Sequence, residues 1–278
     1  MNTKMVDITP ENADQLIAMP EQEAMAIFSK MTTDQQVALI SSAGNAQRAE
    51  QMLFLKPDSS DLIRELPSVV VAEIADYQLE TTPDHILESV TPQQVLEIAD
   101  SEWWSINNTV NQKQAERWLE SVIAVDNPRK GEIYQTLQDY LVFLFMGKIG
   151  FHVVARDTSD VDDDEATAAR HYPMADISNI DVKDISSEDG EDYNANLLAR
   201  IIDDVFAVNQ TCARYVVSEA TAYSRDVDDM DLETKRTRWL QDLVEERTSR
   251  IDELRPQVEE KDKKRDDLFS AETVTIDI

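Results

Sequence analysis

Thr32-Thr33-Asp34-Gln35 and Thr91-Pro92-Gln93-Gln94 belong to a series of helix-start signals that decides the fold. Such signals recur roughly once per dozen residues between positions 9 and 100, a spacing typical of short helical repeats. Each places Thr or another polar residue near the N-cap, usually with proline in the first turn and an acid or amide just inside, which satisfies free amide groups and suits the helix dipole. The other signals are Thr9-Pro10-Glu11, Pro20-Glu21-Gln22-Glu23, Lys56-Pro57-Asp58, Leu66-Pro67-Ser68 and Thr82-Pro83-Asp84.

An apolar cluster follows each start, and Gly44-Asn45 supplies a helix end and a new start where proline is missing. The pattern predicts eight helices, or four hairpins. A helix of two or three turns cannot bury such a face alone, so neighbouring helices must stack. The sequence therefore predicts an all-α protein whose first domain, residues 9–104, is an α-solenoid of short helical hairpins. Val69-Val70-Val71 follows a proline start and leads into Ala72-Glu73-Ile74-Ala75, so this run is predicted as helix rather than strand.

Longer helices are predicted after the repeats. Trp103 and Trp104 end the repeats, and bulky aromatic residues there favour a cap over the last apolar face more than a ligand platform. Residues 105–155 are predicted to hold a capping helix at 115–125 and a buried core helix through Tyr140–Met146. Gly147 and Gly150 would end that core helix, and a short extended segment at 151–155 would follow.

The remaining chain is predicted as an acidic insertion followed by a C-terminal helical pair. Residues 156–194 read as a partly disordered loop, because 13 acidic residues stand against Arg170 and Lys183 between positions 157 and 192. Residues 195–270 form the pair, with one long helix over 195–224 and another from about 232 to 254. Leu240, Leu243, Ile251 and Leu254 nearly follow a heptad, which Arg247 interrupts. The charged run after Pro256 has little to bury.

Composition limits the possible partners. The 278 residues carry a formal net charge of -30, which repels nucleic acid and anionic lipid heads. The most apolar run, Tyr140–Met146, is too short to span a bilayer. Cys212 is the single cysteine, which fits a reducing compartment and, at helical spacing from Val208 and Val216, predicts a buried small side chain. Residues 1–12 lack a secretory pattern, so a cytoplasmic location is expected.

No catalytic, cofactor-binding or metal-ligating residue is predicted. His85, His152 and His171 lie far apart, and the sequence holds no zinc-protease, nucleophile-elbow, Walker or dinucleotide motif. Asp160–Glu165 resembles the opening of a calcium loop. Glu165 and His171 occupy the positions that require glycine and glutamate, which excludes an EF-hand and leaves open only a weak attraction for divalent cations.

Two stretches, residues 20–28 and 32–40, resemble the acidic helical superhelix at the cytosolic N-terminus of MgtE-type magnesium transporters and the armadillo-like repeats of the flagellar switch protein FliG. This likeness covers about a third of the chain and implies a stacked helical fold. Magnesium transport is not implied, because the transporter's regulatory domain and membrane helices have no counterpart here. Including Trp103, Arg117-Trp118-Leu119-Glu120 and Thr237-Arg238-Trp239, the chain also resembles a group of uncharacterised bacterial cytosolic helical-repeat proteins.

Repeats without a catalytic motif predict a noncatalytic protein, used for protein–protein interaction or scaffolding, whose partner is a protein of unknown identity. No enzyme activity and no cofactor are expected. The alternative is a cytosolic regulator that responds to magnesium or calcium, in which acidic faces repel until a cation bridges them.

Overall fold

A computed structural model describes residues 14–81, 86–146, 149–151, 180–182, 195–222 and 229–271. The described residues are mostly helical, which confirms the all-α class, and they also include one pair of three-residue strands. They form two compact units. Unit 1 holds the described parts of Met1–Ser101, Ala124–Asn127 and Thr248–Ile278, and unit 2 holds those of Glu102–Ile123 and Pro128–Arg247.

Seven helices are described between residues 14 and 102. They are α1 (Asp14–Ile17), α2 (Glu21–Phe28), α3 (Thr33–Ser41), α4 (Ala46–Leu53), α5 (Ser60–Glu65), α6 (Ser68–Thr81) and α7 (Pro92–Glu102). The helical prediction for Val69–Val71 is confirmed by α6. The helix start predicted at residues 82–84 lies outside the described residues. After that gap, residues 86–89 make one turn, in which the amides of Ser89 and Val90 donate to the carbonyl of Ile86 at 3.1 and 3.2 Å.

Two predicted helix starts have the expected capping geometry. Thr32 and Gln35 form a capping box: the Thr32 hydroxyl accepts the Gln35 amide at 3.3 Å, and the Gln35 side chain accepts the Thr32 amide at 3.0 Å. Gly44 has a φ of 77°, which glycine adopts without strain, and the side chain of Asn45 accepts the amide of Arg48 at 3.0 Å. The sequence pattern therefore located these two boundaries correctly.

Buried glutamines tie these helices to one another. The side-chain amide of Gln36 donates to the carbonyl of Phe28 at 2.6 Å. That of Gln94 donates to Ile63 at 2.7 Å and to Leu66 at 2.8 Å. The carbonyls of Phe28 and Ile63 also accept the amides of Met31 and Leu66, at 3.2 and 3.3 Å, so the glutamines add a second bond there and supply a donor to the carbonyl of Leu66.

Unit 1 also includes parts of the chain that are distant in sequence. Asn127 donates to the carbonyls of Leu87 and Val90 at 2.8 and 3.1 Å. Asp100, which is buried, accepts two bonds from the guanidinium of Arg250, both 2.8 Å long. Such a bidentate pair fixes orientation as well as distance.

The later elements are α8 (Gln112–Ala124), α9 (Lys130–Thr136), α10 (Gln138–Phe145), β1 (Ile149–Phe151), β2 (Ile180–Val182), α11 (Ala195–Val208), α12 (Gln210–Ala222) and α13 (Asp229–Ala271). In unit 2, α12 packs on α10 and α11, and α9 packs on α10 and α11. All residues of Tyr140–Met146 are buried, which confirms the predicted core segment. The helix predicted at 115–125 is α8.

The two strands pair antiparallel, with Ile149 opposite Val182 and Phe151 opposite Ile180. The extended segment was predicted to begin at residue 151, whereas β1 begins two residues earlier, at Ile149. Residues 152–155 lie outside the described residues. The loop prediction was wrong at Ile180–Val182, because two β-branched residues flanking one polar residue suit a strand once a partner is present. The rest of the predicted acidic loop lies outside the described residues.

The single helix predicted over 195–224 was wrong. The chain forms α11 and α12 with a break at Asn209, whose side chain accepts the amide of Cys212 at 3.0 Å and donates to the carbonyl of Gly131 at 2.9 Å. Asn209 is therefore the N-cap of α12, and the apolar periodicity on both sides concealed the break. Gly131 permits the close approach, since a Cβ there would lie 3.0 Å from the carbonyl oxygen of Val208.

The end predicted near residue 254 for the last helix was also wrong, because α13 continues through Pro256 to Ala271. Proline removes one backbone bond but does not forbid helix on both sides. Beyond it in the sequence, Glu259 and Glu260 precede Lys263 and Lys264 by four residues, a spacing of opposite charges that favours helix.

Candidate functional site

Three aromatic residues of unit 2, Trp103, Trp104 and Tyr140, form what we call the aromatic cluster. The Tyr140 ring meets the Trp103 ring at 5.5 Å and the Trp104 ring at 6.1 Å, edge to face in both cases. The indole of Trp104 donates to the Tyr140 hydroxyl at 2.8 Å. This geometry is the favoured one for aromatic pairs, and it holds the Trp104 ring in a fixed orientation.

A short hairpin-like turn positions the tryptophans. Trp104 bridges Val110, the amide of Asn111 donates to the carbonyl of Trp103 at 2.6 Å, and Asn108 takes the left-handed conformation with φ 55°. Asparagine tolerates that conformation better than most residues. The sequence predicted only a polar stretch here.

The tryptophans differ in accessibility. Trp103 is 1% exposed, so its ring is not an open ligand platform. The guanidinium of Arg247 lies 5.0 Å from the centre of the Trp104 ring, within the range of a cation–π contact. The capping role predicted for the pair stays a prediction.

Four residues on one face of α13, all within unit 2, face the other helices of that unit, and we call them the α13 stripe. They are spaced by three or four positions: Arg236, Trp239, Leu243 and Arg247. Arg236 lies 5.1 Å from the ring centre of Phe143, and the Trp239 indole donates to the backbone carbonyl of Asp139 at 3.2 Å. Leu243 is 2% exposed. Arg247, predicted to interrupt an apolar heptad, instead belongs to the contact face.

A polar cluster links α9 to α11. The buried Tyr134 donates to Asp204, whose same carboxylate oxygen lies 3.4 Å from the Lys130 ammonium. Lys130 also donates to the carbonyl of Ile123 at 3.0 Å. Burial, and then the hydrogen bond to Asp204, raise the pKa of Tyr134 above its usual range. The phenol therefore stays protonated as a donor, and the cluster joins two helices.

Asp139 holds a second tyrosine. The hydroxyl of Tyr215 donates to its carboxylate at 3.1 Å. Burial raises the pKa of Tyr215 above its usual range, and the charge of Asp139 adds to the effect. Here too the structure favours the neutral donor form.

Cys212 is buried, as predicted from its spacing. Its thiol donates to the carbonyl of Tyr134 at 3.3 Å. Burial, with a smaller contribution from Asp139, raises the pKa of the thiol to about 11. At neutral pH the sulfur is protonated, so it is a packed side chain rather than a nucleophile.

The histidines His85, His152 and His171, and the acidic run Asp160–Glu165, lie outside the described residues. Elsewhere, in the part of the chain that the structure describes, no three side chains of His, Cys, Asp or Glu come together to hold a metal ion. Across those same residues, none of the helices combines the length and apolar character needed to cross a bilayer.

No known protein family, curated protein or solved structure matches the chain. The resemblance to MgtE-type and FliG repeats therefore stays a prediction.

Proposed function

We propose that the chain is a noncatalytic interaction or scaffolding protein of the cytoplasm. In this proposal residues 9–104 form an α-solenoid that binds a partner protein, and the longer helices after it form a bundle. Support comes from unit 1, where helices pack on near neighbours in sequence: α1 on α2 and α4, α3 on α4 and α5, and α4 on α6. Each contact joins helices at most three positions apart in the order of elements, which is expected when short helices stack along one direction.

Two exposed apolar side chains carry the proposal. Phe54 is 51% exposed at the end of α4, and Val69 is 59% exposed in the first turn of α6. Most apolar residues of these helices are buried, whereas these two side chains leave about half or more of their surface open to solvent. Large apolar and aromatic side chains on a rigid support are the usual anchors of protein interfaces.

The groups of unit 2 that resemble catalytic residues support the noncatalytic part of the proposal. The buried Cys212 is one of these groups, because the raised pKa of its thiol keeps it protonated, while the carboxylate of Asp204 binds Tyr134 and Lys130 and so joins α9 to α11. A general base or a nucleophile needs a free lone pair near neutral pH. These residues hold helices together instead.

The experiment compares the full chain with the variant F54S/V69S. Proteins captured from an extract of the producing cells are identified, purified and titrated against both chains. We expect the double substitution to weaken binding of the partner at least about tenfold, as the loss of central apolar anchors does.

The matched control is Q22S/Q93S, which changes two exposed residues on other helices of unit 1 and should leave the affinity unchanged. Circular dichroism checks that both variants keep their helices. If wild type and F54S/V69S retain the same purified partner equally well, the proposed surface is wrong.

The alternative, a regulator responding to divalent cations, rests on the net charge of -30 and on the run Asp160–Glu165. A cation that binds only the folded state raises the melting temperature in proportion to the logarithm of its concentration. Thermal unfolding at increasing magnesium and calcium tests it. No shift at millimolar cation removes this alternative.

A further inference from the structure

We draw no further inference here: the strongest candidate, the fully exposed Ile106 at the tip of the turn that joins Trp104 to Val110, carries none, because nothing in the structure shows what covers it.

Discussion

Single residues set the boundaries of helices, and some of these residues can be recognised from the sequence. Thr32 and Gly44 were recognised because a capping box and a left-handed glycine depend on neighbours in the chain. Asn209 was missed, although asparagine is a good N-cap, because apolar periodicity continues across it. Its second bond, to Gly131, joins residues 78 positions apart, and no local pattern reports such a contact.

The reactivity of the Cys212 thiol measures whether this residue is buried in the core of unit 2. With a pKa of about 11, only roughly a thousandth of the thiol is ionised at pH 8, and the thiolate is the reactive form. Ellman's reagent should therefore react very slowly with the native chain and quickly in urea. A stoichiometric reaction of the native chain within minutes would contradict the buried position.

The Cys212 thiol also makes the free energy of unfolding depend on pH. Burial raises its pKa from an ordinary value of 9.0 to about 11, so its contribution to stability is fully present below pH 9 and is lost as the pH rises towards about 11. Urea unfolding should show this loss between those pH values. The control C212A should lose less stability over the same range, because it has no thiol that ionises on unfolding.

At the scale of elements, side-chain amides form hydrogen bonds between helices, whereas apolar spacing predicts each helix individually. The sequence predicted most helices of unit 1, because apolar spacing and start signals are local. It predicted the helix start at Thr91–Gln94, where the Gln94 side chain accepts the Thr91 amide at 2.9 Å, but not that the same side chain donates to Ile63 and Leu66. It also treated Arg247 as an interruption, because heptad patterns count only apolar residues, whereas Arg247 contacts an aromatic ring.

Replacing Gln94 by alanine tests these connections. The change removes the side-chain donor to the carbonyls of Ile63 and Leu66 and the acceptor for the Thr91 amide, so we expect the free energy of unfolding to fall by about 1–3 kcal/mol. Urea unfolding of the full chain measures it. Gln93→Ala, at the exposed neighbouring position, should change stability by less than about 0.5 kcal/mol. Equal effects of the two substitutions would contradict the role given to Gln94.

At the scale of the whole molecule, the helix-start signals and apolar clusters predicted an all-α protein, and the helical class is confirmed. They did not predict units assembled from separate parts of the chain. Asn127 and Arg250 belong to unit 1 through bonds to Val90 and Asp100, across 37 and 150 positions. Such contacts arise from tertiary packing, which hydrophobic periodicity along the chain does not encode.

The central claim is that the surface of unit 1 around Phe54 binds a partner protein. Its most direct test is a photo-crosslinking amino acid placed at position 54 of the full chain, with the exposed position 22 of α2 as control, in the producing cells. We predict one discrete protein adduct from position 54, of the same protein that F54S/V69S fails to retain, and little from position 22. No adduct from position 54, or equal adducts from both positions, would contradict the claim.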